Sequence, residues 1–512
     1  MPEHIFEKIK KSIVPQWKVC FLSALVVGLI AHLYKITNWL PNWDSLVFRY
    51  DVQNMLAMGR WFLPVMCAPS TFYDLPLIAG LLSIVFHGFG AVCICSIFNV
   101  KKNITAALIG AFVVSFPTVT SVMMYNYVAD GYAIAFMMSC LAAMLILKDK
   151  PCYIGAIVLI ALSTGIYQAY ITVTIALILL YLIFELLYKD TDLKKLIADI
   201  VKFAVTGILG IALYYVIFVV LLKITGTTAL DYQGFSSAAS LSGLNIFGSL
   251  YSIKQCFTKY FFDFSTGVSF FSVLNIIICA ITVIFYVAEV IKNKLSIAKV
   301  ILLCLIVIML PVGTTVLCFA NSSIDYHNLM MMGYIVFYLL FILQYEKEGF
   351  KCNKLNSIKM WTVLCVVLML IFNYVLIANV SYHKLNMAYE NSYGTLIRIA
   401  DRIEQTEGAD ECDSILVVGH LPESEAYSAM LPPDMTGTTD GYILRADDEI
   451  VGQSVLCSAL NDYCKKDYKF IYGDEKDNLL EKVNAKSLGN WPEQNSVCVI
   501  DNVIVVKFAD ER

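Results

Sequence analysis

Charged residues are scarce in this sequence. Of its 512 residues only 15% are charged, whereas 59% are hydrophobic, and a soluble globular protein averages about 25% charged residues. Apolar stretches of about 20 residues, each long enough to cross a bilayer as a helix, recur along most of the chain. These stretches exclude an ordinary soluble fold and are too long for the strands of a membrane barrel. The sequence therefore predicts a polytopic α-helical membrane protein.

Motifs for metal binding and redox chemistry are also missing. The chain has 16 cysteines but no paired CxxC motif and no His/Cys spacing typical of a zinc site. Most of these cysteines lie within apolar stretches, where the thiol packs like a small hydrophobic group. We therefore expect no cofactor, and dependence on a divalent metal ion stays an open alternative.

Charge is divided unevenly along the chain. Residues 385–512 hold 24 acidic and 11 basic side chains, a balance of −13, while the rest of the chain has a balance of +9. A segment this acidic does not favour binding to nucleic acid. It is also much less apolar, so we expect a transmembrane domain at 1–384 and a soluble α/β domain at 385–512. A buried strand at 414–419 and a hairpin at 497–506 support the α/β assignment.

The apolar stretches and the basic loops between them predict about eleven transmembrane spans. Lysines concentrate before the first span, which predicts a cytoplasmic N-terminus and an extracytoplasmic C-terminal domain. A further amphipathic helix at 244–262 is expected to lie in the headgroup plane. The expected spans are 19–36, 75–98, 104–122, 131–147, two short ones within 152–188 that turn near Tyr167–Tyr170, then 200–222, 268–291, 298–320, 329–343 and 358–380.

The first outer loop contains the residues best suited to chemistry. Between the first two spans come two carboxylates, Asp44 and Asp51, and two arginines, Arg49 and Arg60. Charge beside a bilayer is costly, so such a cluster predicts a functional site. Asp44 could take a proton from an acceptor hydroxyl, and a guanidinium could hold the phosphate oxygens of a lipid-linked sugar. The leaving group would be the lipid phosphate, which requires no protonation.

Short motifs along the chain resemble those of one family. They are Trp43-Asp44-Ser45, Met58-Gly59-Arg60-Trp61, Tyr127-Val128-Ala129-Asp130 and the paired short spans around Tyr167-Gln168. In this order they resemble the bacterial membrane glucosyltransferases of the phage serotype-conversion (O-antigen glucosylation) type, which are similar to the C-type glycosyltransferase superfamily. The resemblance covers roughly residues 15–380 and leaves the C-terminal domain unassigned.

The resemblance implies a hexosyltransferase of the bacterial cell membrane. Such an enzyme takes glucose from a polyprenyl-phosphate donor at the outer face and adds it to a surface polysaccharide or glycopolymer. It makes Asp44 the first candidate for the base and Asp51 the second, because many relatives carry an adjacent acidic pair that this chain spaces seven residues apart. The other candidates are Arg60, Arg49 and Lys259 for the donor phosphate, and Asp130, Tyr167, Gln168 and Trp43 for substrate binding.

Structural roles and other functions compete with these assignments. Asp44, Asp74 and Asp130 could each cap a helix, and Tyr167 and Gln168 could form hydrogen bonds between helices. A lipid-linked oligosaccharide polymerase or ligase would depend on outer arginines and a histidine rather than an aspartate. A transporter or flippase of a lipid-linked sugar would place polar residues near the middle of the membrane.

Overall fold

The computed structural model divides into two compact units. The first comprises Met1–Thr37 and Val52–Asn379, and the second comprises Asn38–Asp51 and Val380–Arg512. Trp43, Arg49 and Asp51 fall outside the part of the chain that the structure describes. The described residues are 3, 13–42, 44–45, 55–70, 73–230, 245–262, 270–324, 326–347, 354–421, 456, 458–461 and 467–509.

Apolar helices make up the first unit. Nine helices of the described ranges are long and apolar enough to cross a membrane, and a bent helix pair and one 14-residue apolar helix come in addition. The chain is a multi-pass membrane protein, which confirms the prediction. The helices are α1 (Pro15–Thr37), α2 (Leu63–Cys67), α3 (Pro76–Ile97), α4 (Asn103–Ser115), α5 (Pro117–Met124), α6 (Ala129–Leu147), α7 (Tyr153–Ile166), α8 (Ile171–Tyr188), α9 (Leu193–Thr225), α10 (Ile246–Phe262), α11 (Phe270–Lys292), α12 (Ile297–Thr314), α13 (Ile335–Lys347) and α14 (Lys354–Glu404).

The third span differs from the single helix expected at 104–122. It consists of α4 and α5, bent by 40° at Phe116, whose backbone is extended with ψ at 138°. Pro117 follows as the first residue of α5. A proline lacks the amide hydrogen and disfavours helical backbone in the residue before it, so a straight helix cannot pass through this point.

The two short spans predicted within 152–188 are α7 and α8. Tyr167 has an extended backbone (φ −155°, ψ 122°) and ends α7. A 3₁₀ turn, Gln168–Tyr170, then leads into α8. The turn is therefore where the sequence predicts it, and Tyr167 and Gln168 occupy the break between two apolar helices.

The last predicted span and the first helix of the C-terminal domain are one helix in the structure. α14 continues for 51 residues through the expected break at 381–384. The sequence there, Ser381-Tyr382-His383-Lys384, contains neither proline nor glycine. No residue in it interrupts the backbone hydrogen bonds of a helix.

Basic residues meet at one end of the first unit, here called the basic end. The backbone N–H of Lys101 donates to Glu346 (2.8 Å), and the Lys102 ammonium donates to the Tyr345 carbonyl (2.6 Å). The Lys347 ammonium lies 4.8 Å from the centre of the Tyr188 ring. These contacts join the C-terminal ends of α3, α8 and α13. The N-terminal ends of α3, α8 and α13 therefore lie at the opposite end. The start of α6 lies there too, because the Tyr132 ring is 6.3 Å from the Tyr170 ring just before α8.

A four-stranded sheet forms the centre of the second unit. Its strands are β1 (Ser414–Val418), β2 (Lys469–Phe470), β3 (Val497–Ile500) and β4 (Val503–Lys507) in the order β2-β1-β4-β3. β1 runs parallel to β2 and β4. β3 and β4 form the predicted antiparallel hairpin, turning at Asp501 and Asn502, which both have positive φ as a tight hairpin turn requires.

The sheet of the second unit is covered on both faces. Alternate side chains of a strand point to opposite faces, and here Ile415 and Leu416 belong to two separate apolar clusters. The first cluster contains Leu396 and Ile399 of α14. The second contains Leu479 of a further helix, α15 (Asp474–Ala485). The second unit is thus a helix–sheet–helix sandwich.

Gly110 permits a close contact between α1 and α4, and this contact can be tested by substitution. A Cβ atom at Gly110 in α4 would lie 2.1 Å from the Cys20 carbonyl oxygen of α1, and that backbone cannot move aside cheaply. Small residues allow membrane helices to approach in this way. We expect Gly110→Ala to destabilise the protein by about 1–3 kcal/mol, measured as a lower unfolding temperature in detergent.

Gly207→Ala provides the matched control for this test. Gly207 also lies in an apolar helix, α9, but a Cβ atom there meets nothing within 4 Å. Since alanine favours a helix over glycine by about 1 kcal/mol, the unfolding temperature should stay the same or rise. Equal losses in the two variants would contradict the close contact between α1 and α4.

Candidate functional site

Asp44 lies in a helical turn of the second unit that two buried side chains hold in place. The Asn42 side-chain oxygen accepts the backbone N–H of Ser45 (2.9 Å), and the Ser45 hydroxyl accepts the backbone N–H of Asn42 (3.0 Å). This reciprocal arrangement is a capping box, with serine in the place of the usual glutamate. Asn42 is 0% exposed and Ser45 is 2% exposed, whereas Asp44 is half-buried.

The capping role in this turn belongs to Asn42. The two bonds of the box use the side chains of Asn42 and Ser45. The assignment of Asp44 as the base stays a prediction. The neighbouring candidates Trp43, Arg49 and Asp51 lie outside the described residues, so their roles stay predictions.

Arg60 of the first unit packs among tyrosines. Its guanidinium carbon lies 4.9 Å from the centre of the Tyr167 ring, and its Nη1 donates to the Tyr132 hydroxyl (3.3 Å). The Tyr132 and Tyr167 rings stack with centres 4.9 Å apart. A cation over an aromatic face is attracted by the ring's electrons, so these rings fix the direction of a half-buried positive charge.

Gln168 and Tyr214 hold the backbone just before Arg60. The Gln168 amide donates to the Met58 carbonyl (2.8 Å) and to the Tyr214 hydroxyl (3.2 Å), which in turn donates to the Gly59 carbonyl (3.0 Å). The structure thus brings Arg60, Tyr167 and Gln168 together, and we call these three with Tyr132 and Tyr214 the arginine–tyrosine cluster. Within this cluster, Gln168 forms the hydrogen bonds that join the helix break to Met58 and to Tyr214.

Trp61 and Phe62 continue the attachment of this segment to the end of α7. The Phe62 backbone N–H donates to the Gly165 carbonyl (2.8 Å). The Trp61 indole lies against Gly165, where a Cβ atom would come within 2.7 Å of it. Only glycine leaves room for the ring here, so the segment that carries Arg60 lies directly against the helix end.

Asp130 is buried at the start of α6, with 1% of its surface exposed. Its carboxylate accepts the backbone N–H of Gly131 (2.9 Å) and lies within hydrogen-bonding distance of the Ser70 and Cys67 side chains. Burial raises the pKa of the Cys67 thiol well above its usual value, so the thiol is neutral and can donate. These bonds join the 63–70 segment to α6, while substrate binding by Asp130 stays a prediction.

Lys35 is a buried charge that the sequence analysis missed. It lies in the last turn of α1, is 0% exposed and is within electrostatic reach of Asp74. Asp74 accepts a hydrogen bond from the Asn126 amide (2.8 Å), and Leu75, not Asp74, is the N-cap residue of α3. The available signal was a lone lysine inside the first apolar stretch.

Lys259 is exposed on α10, the helix expected to lie in the headgroup plane. α10 is present as predicted, but part of its aromatic face packs on protein: Phe257 and Phe261 contact Tyr334 and Phe337. Lys259 is on the uncovered side of the same helix. No group of three His, Cys, Asp or Glu side chains suited to a metal ion occurs among the described residues.

Comparison with known proteins assigns the chain to a family. A family model described as Glucosyl transferase GtrII matches residues 33–342, more than half of the chain. The chain belongs to this family. Membership confirms the resemblance found in the sequence and indicates glycosyltransferase activity, with a sugar donor and an acceptor as substrates. No curated protein and no solved structure matches the chain.

The part matched by the GtrII family contains most of the candidate residues described above. It includes the Asp44 turn, the arginine–tyrosine cluster and Lys35, and it ends within α13. The β-strands of the second unit lie beyond it. The family therefore indicates sugar transfer for the membrane-spanning part and says nothing of the sheet.

Replacing Gln168 by alanine tests the attachment of the Arg60 segment. Gln168→Ala removes a donor from the Met58 carbonyl and the buried Tyr214 hydroxyl. Leaving the Met58 carbonyl without this donor costs about 1–3 kcal/mol, so the unfolding temperature in detergent should fall. Gln255→Ala is the control, because Gln255 also donates to a tyrosine hydroxyl, that of Tyr251, but is exposed and water can replace it. An equal effect of both variants would contradict this role of Gln168.

Proposed function

We propose that this glucosyltransferase takes glucose from a polyprenyl-phosphate donor and transfers it to a surface polysaccharide or glycopolymer at the outer face of the bacterial cell membrane. Asp44 is the general base of the proposed reaction, and Arg60 contacts the donor phosphate. The proposal joins the GtrII family match to the geometry of two places in the molecule, the Asp44 turn and the arginine–tyrosine cluster.

The Asp44 turn is the observation on which the proposal depends. A general base must be held in a defined direction, and the Asn42–Ser45 box fixes the backbone of the turn that carries Asp44. In the proposed step the carboxylate takes the proton of an acceptor hydroxyl. That oxygen then bonds to C1 of glucose, while the bond from C1 to the phosphate oxygen breaks. The electron pair leaves with the lipid phosphate, a stable anion that needs no general acid.

Arg60 supplies a suitable charge for that phosphate. A guanidinium presents paired N–H donors that match phosphate oxygens, and Tyr132 and Tyr167 hold this one in a set direction. Neutralising the phosphate as it leaves would lower the energy of the transition state. Arg49 and Lys259 stay alternative contacts for the same phosphate.

An apolar cleft in the first unit offers room for the hydrocarbon chain of such a donor. It has a volume of about 360 Å³ and lies among α8, α10, α11, α12 and α13. Phe257 and Phe261 of α10 line it, and α10 also carries the exposed Lys259. A cleft of this composition is compatible with an isoprenoid chain whose charged head lies near α10.

The basic end supports the proposed orientation in the membrane. Lysines at the ends of successive spans favour the cytoplasmic side, and the contacts of Lys101, Lys102 and Lys347 place three such ends together. With the basic end in the cytoplasm, the arginine–tyrosine cluster at the N-terminal ends of α6 and α8 belongs to the outer side, where the proposed donor is used.

The first test is Asp44→Asn, assayed with radiolabelled polyprenyl-phosphate-glucose and polysaccharide from the source bacterium. Loss of a general base typically lowers a rate by about 10²–10⁴-fold, and the amide should leave folding unchanged. Asp410→Asn, an exposed aspartate of the same unit, should retain activity. Activity of Asp44→Asn above a tenth of the parent would contradict the proposal, and so would transport of the lipid-linked sugar without transfer in liposomes.

The second test concerns Arg60 and the donor. Arg60→Ala removes a charged contact worth about 1.5–3 kcal/mol, so the KM for the lipid-linked donor should rise about 10–100-fold. Tyr132→Phe is the matched control, because it keeps the stacked ring and removes only the hydroxyl that Arg60 contacts. The KM of the control should change little. If both variants raise KM equally, Arg60 acts through its tyrosine contacts and not on the donor.

A further inference from the structure

The described residues that lead up to Asp44 belong to the second unit, although their neighbours in the chain do not. Asn38–Asp51 groups with Val380–Arg512, while Met1–Thr37 before it and Val52 after it belong to the first unit. The partner of this segment is therefore a part of the chain at least 329 residues away in sequence. Such a grouping requires specific contacts, and the described residues contain them.

Trp39 is the described residue whose contacts tie this segment to α14. Its ring meets the Tyr389 ring edge-on with centres 5.8 Å apart and an interplanar angle of 76°. It also packs against the apolar cluster that contains Ala388, Leu396 and Ile399 of α14. Edge-to-face aromatic pairs add to the stabilisation from apolar burial. This cluster continues to one face of the sheet through Ile415.

Few residues separate this anchor from the candidate base. Leu40 is 2% exposed, and Asn42 follows two residues later as the buried cap of the Asp44 turn. Three consecutive features thus fix the segment: an aromatic anchor, a buried leucine and a capping box. A chain held at Trp39 and again at Asn42 has little freedom to change the direction in which Asp44 is presented.

We propose that the C-terminal domain positions Asp44, and that Trp39 is the positioning residue through which it does so. This rests on the proposed role of Asp44 as the base. Trp39 itself touches no reacting atom in this scheme. Its packing on α14 sets the position of the Asp44 turn, so the acidic domain that the family match does not reach contributes to the rate of sugar transfer.

The test separates positioning from simple stability of the domain. A misplacement of about 1 Å at a catalytic group can lower a rate by about 100-fold. Trp39→Ala in the full chain should therefore lower kcat by about 10–100-fold and leave the KM for polyprenyl-phosphate-glucose unchanged. Trp39→Phe, which keeps an aromatic ring, should restore most of kcat.

Leu479→Ala is the matched control for stability. Leu479 is buried in the apolar cluster on the other face of the sheet, which does not include Trp39. This variant should lower the unfolding temperature but leave kcat unchanged at a temperature where the protein is folded. An unchanged kcat in Trp39→Ala, or an equal loss of kcat in Leu479→Ala, would overturn the proposal.

Two further variants keep the test decisive. If Trp39→Ala cannot be recovered folded, Tyr389→Ala removes the same ring pair from the other side and should give the same loss of kcat. In an Asp44→Asn background Trp39→Ala should cause no further loss, because no base is left to position. An active Asp44→Asn enzyme would refute the proposed base itself. An inactive Asp44→Asn enzyme together with a fully active Trp39→Ala enzyme would refute the positioning role alone.

Discussion

A helix that breaks inside apolar surroundings leaves amide and carbonyl groups that no water can satisfy, and other protein groups must bond to them. This requirement organises the first unit. At the break between α7 and α8, the Phe62 backbone N–H donates to the Gly165 carbonyl (2.8 Å), and Gln168 of the break bonds in turn to the Met58 carbonyl. After α12, the Tyr326 hydroxyl donates to the Thr314 carbonyl (2.7 Å). Polar side chains therefore gather where helices break, and the first of these places also holds Arg60.

The two candidate groups for catalysis are fixed by different means. Tyrosine rings restrict Arg60 through stacking and one hydroxyl, whereas a reciprocal backbone cap restricts Asp44. Each arrangement fixes the segment that carries a charged side chain. In the proposed transfer, whose leaving group would be a stable anion, fixed charges of this kind would be the main contribution of the protein.

Hydropathy and lysine placement were sufficient to predict most of the membrane helices, because lipid imposes length and composition on each of them. The bend at Phe116 was missed, although Pro117 signals it, because apolarity alone was used to define that span. The continuity of α14 was missed because a change in polarity was read as a change in structure. Lys35 was overlooked because a lysine near a helix end is usually assumed to extend to the interface. Its burial beside Asp74 depends on α3 and the 126–128 turn, which no local pattern reveals.

The packing of Trp39 affects how the chain can be shortened. A truncated protein ending at residue 384 would retain everything that the GtrII family model matches. It would nonetheless lack Tyr389 and the apolar side chains that cover Trp39, leaving an indole uncovered a few residues before the proposed base. The stretch that defines the family by sequence is thus smaller than the stretch that packs around Trp39.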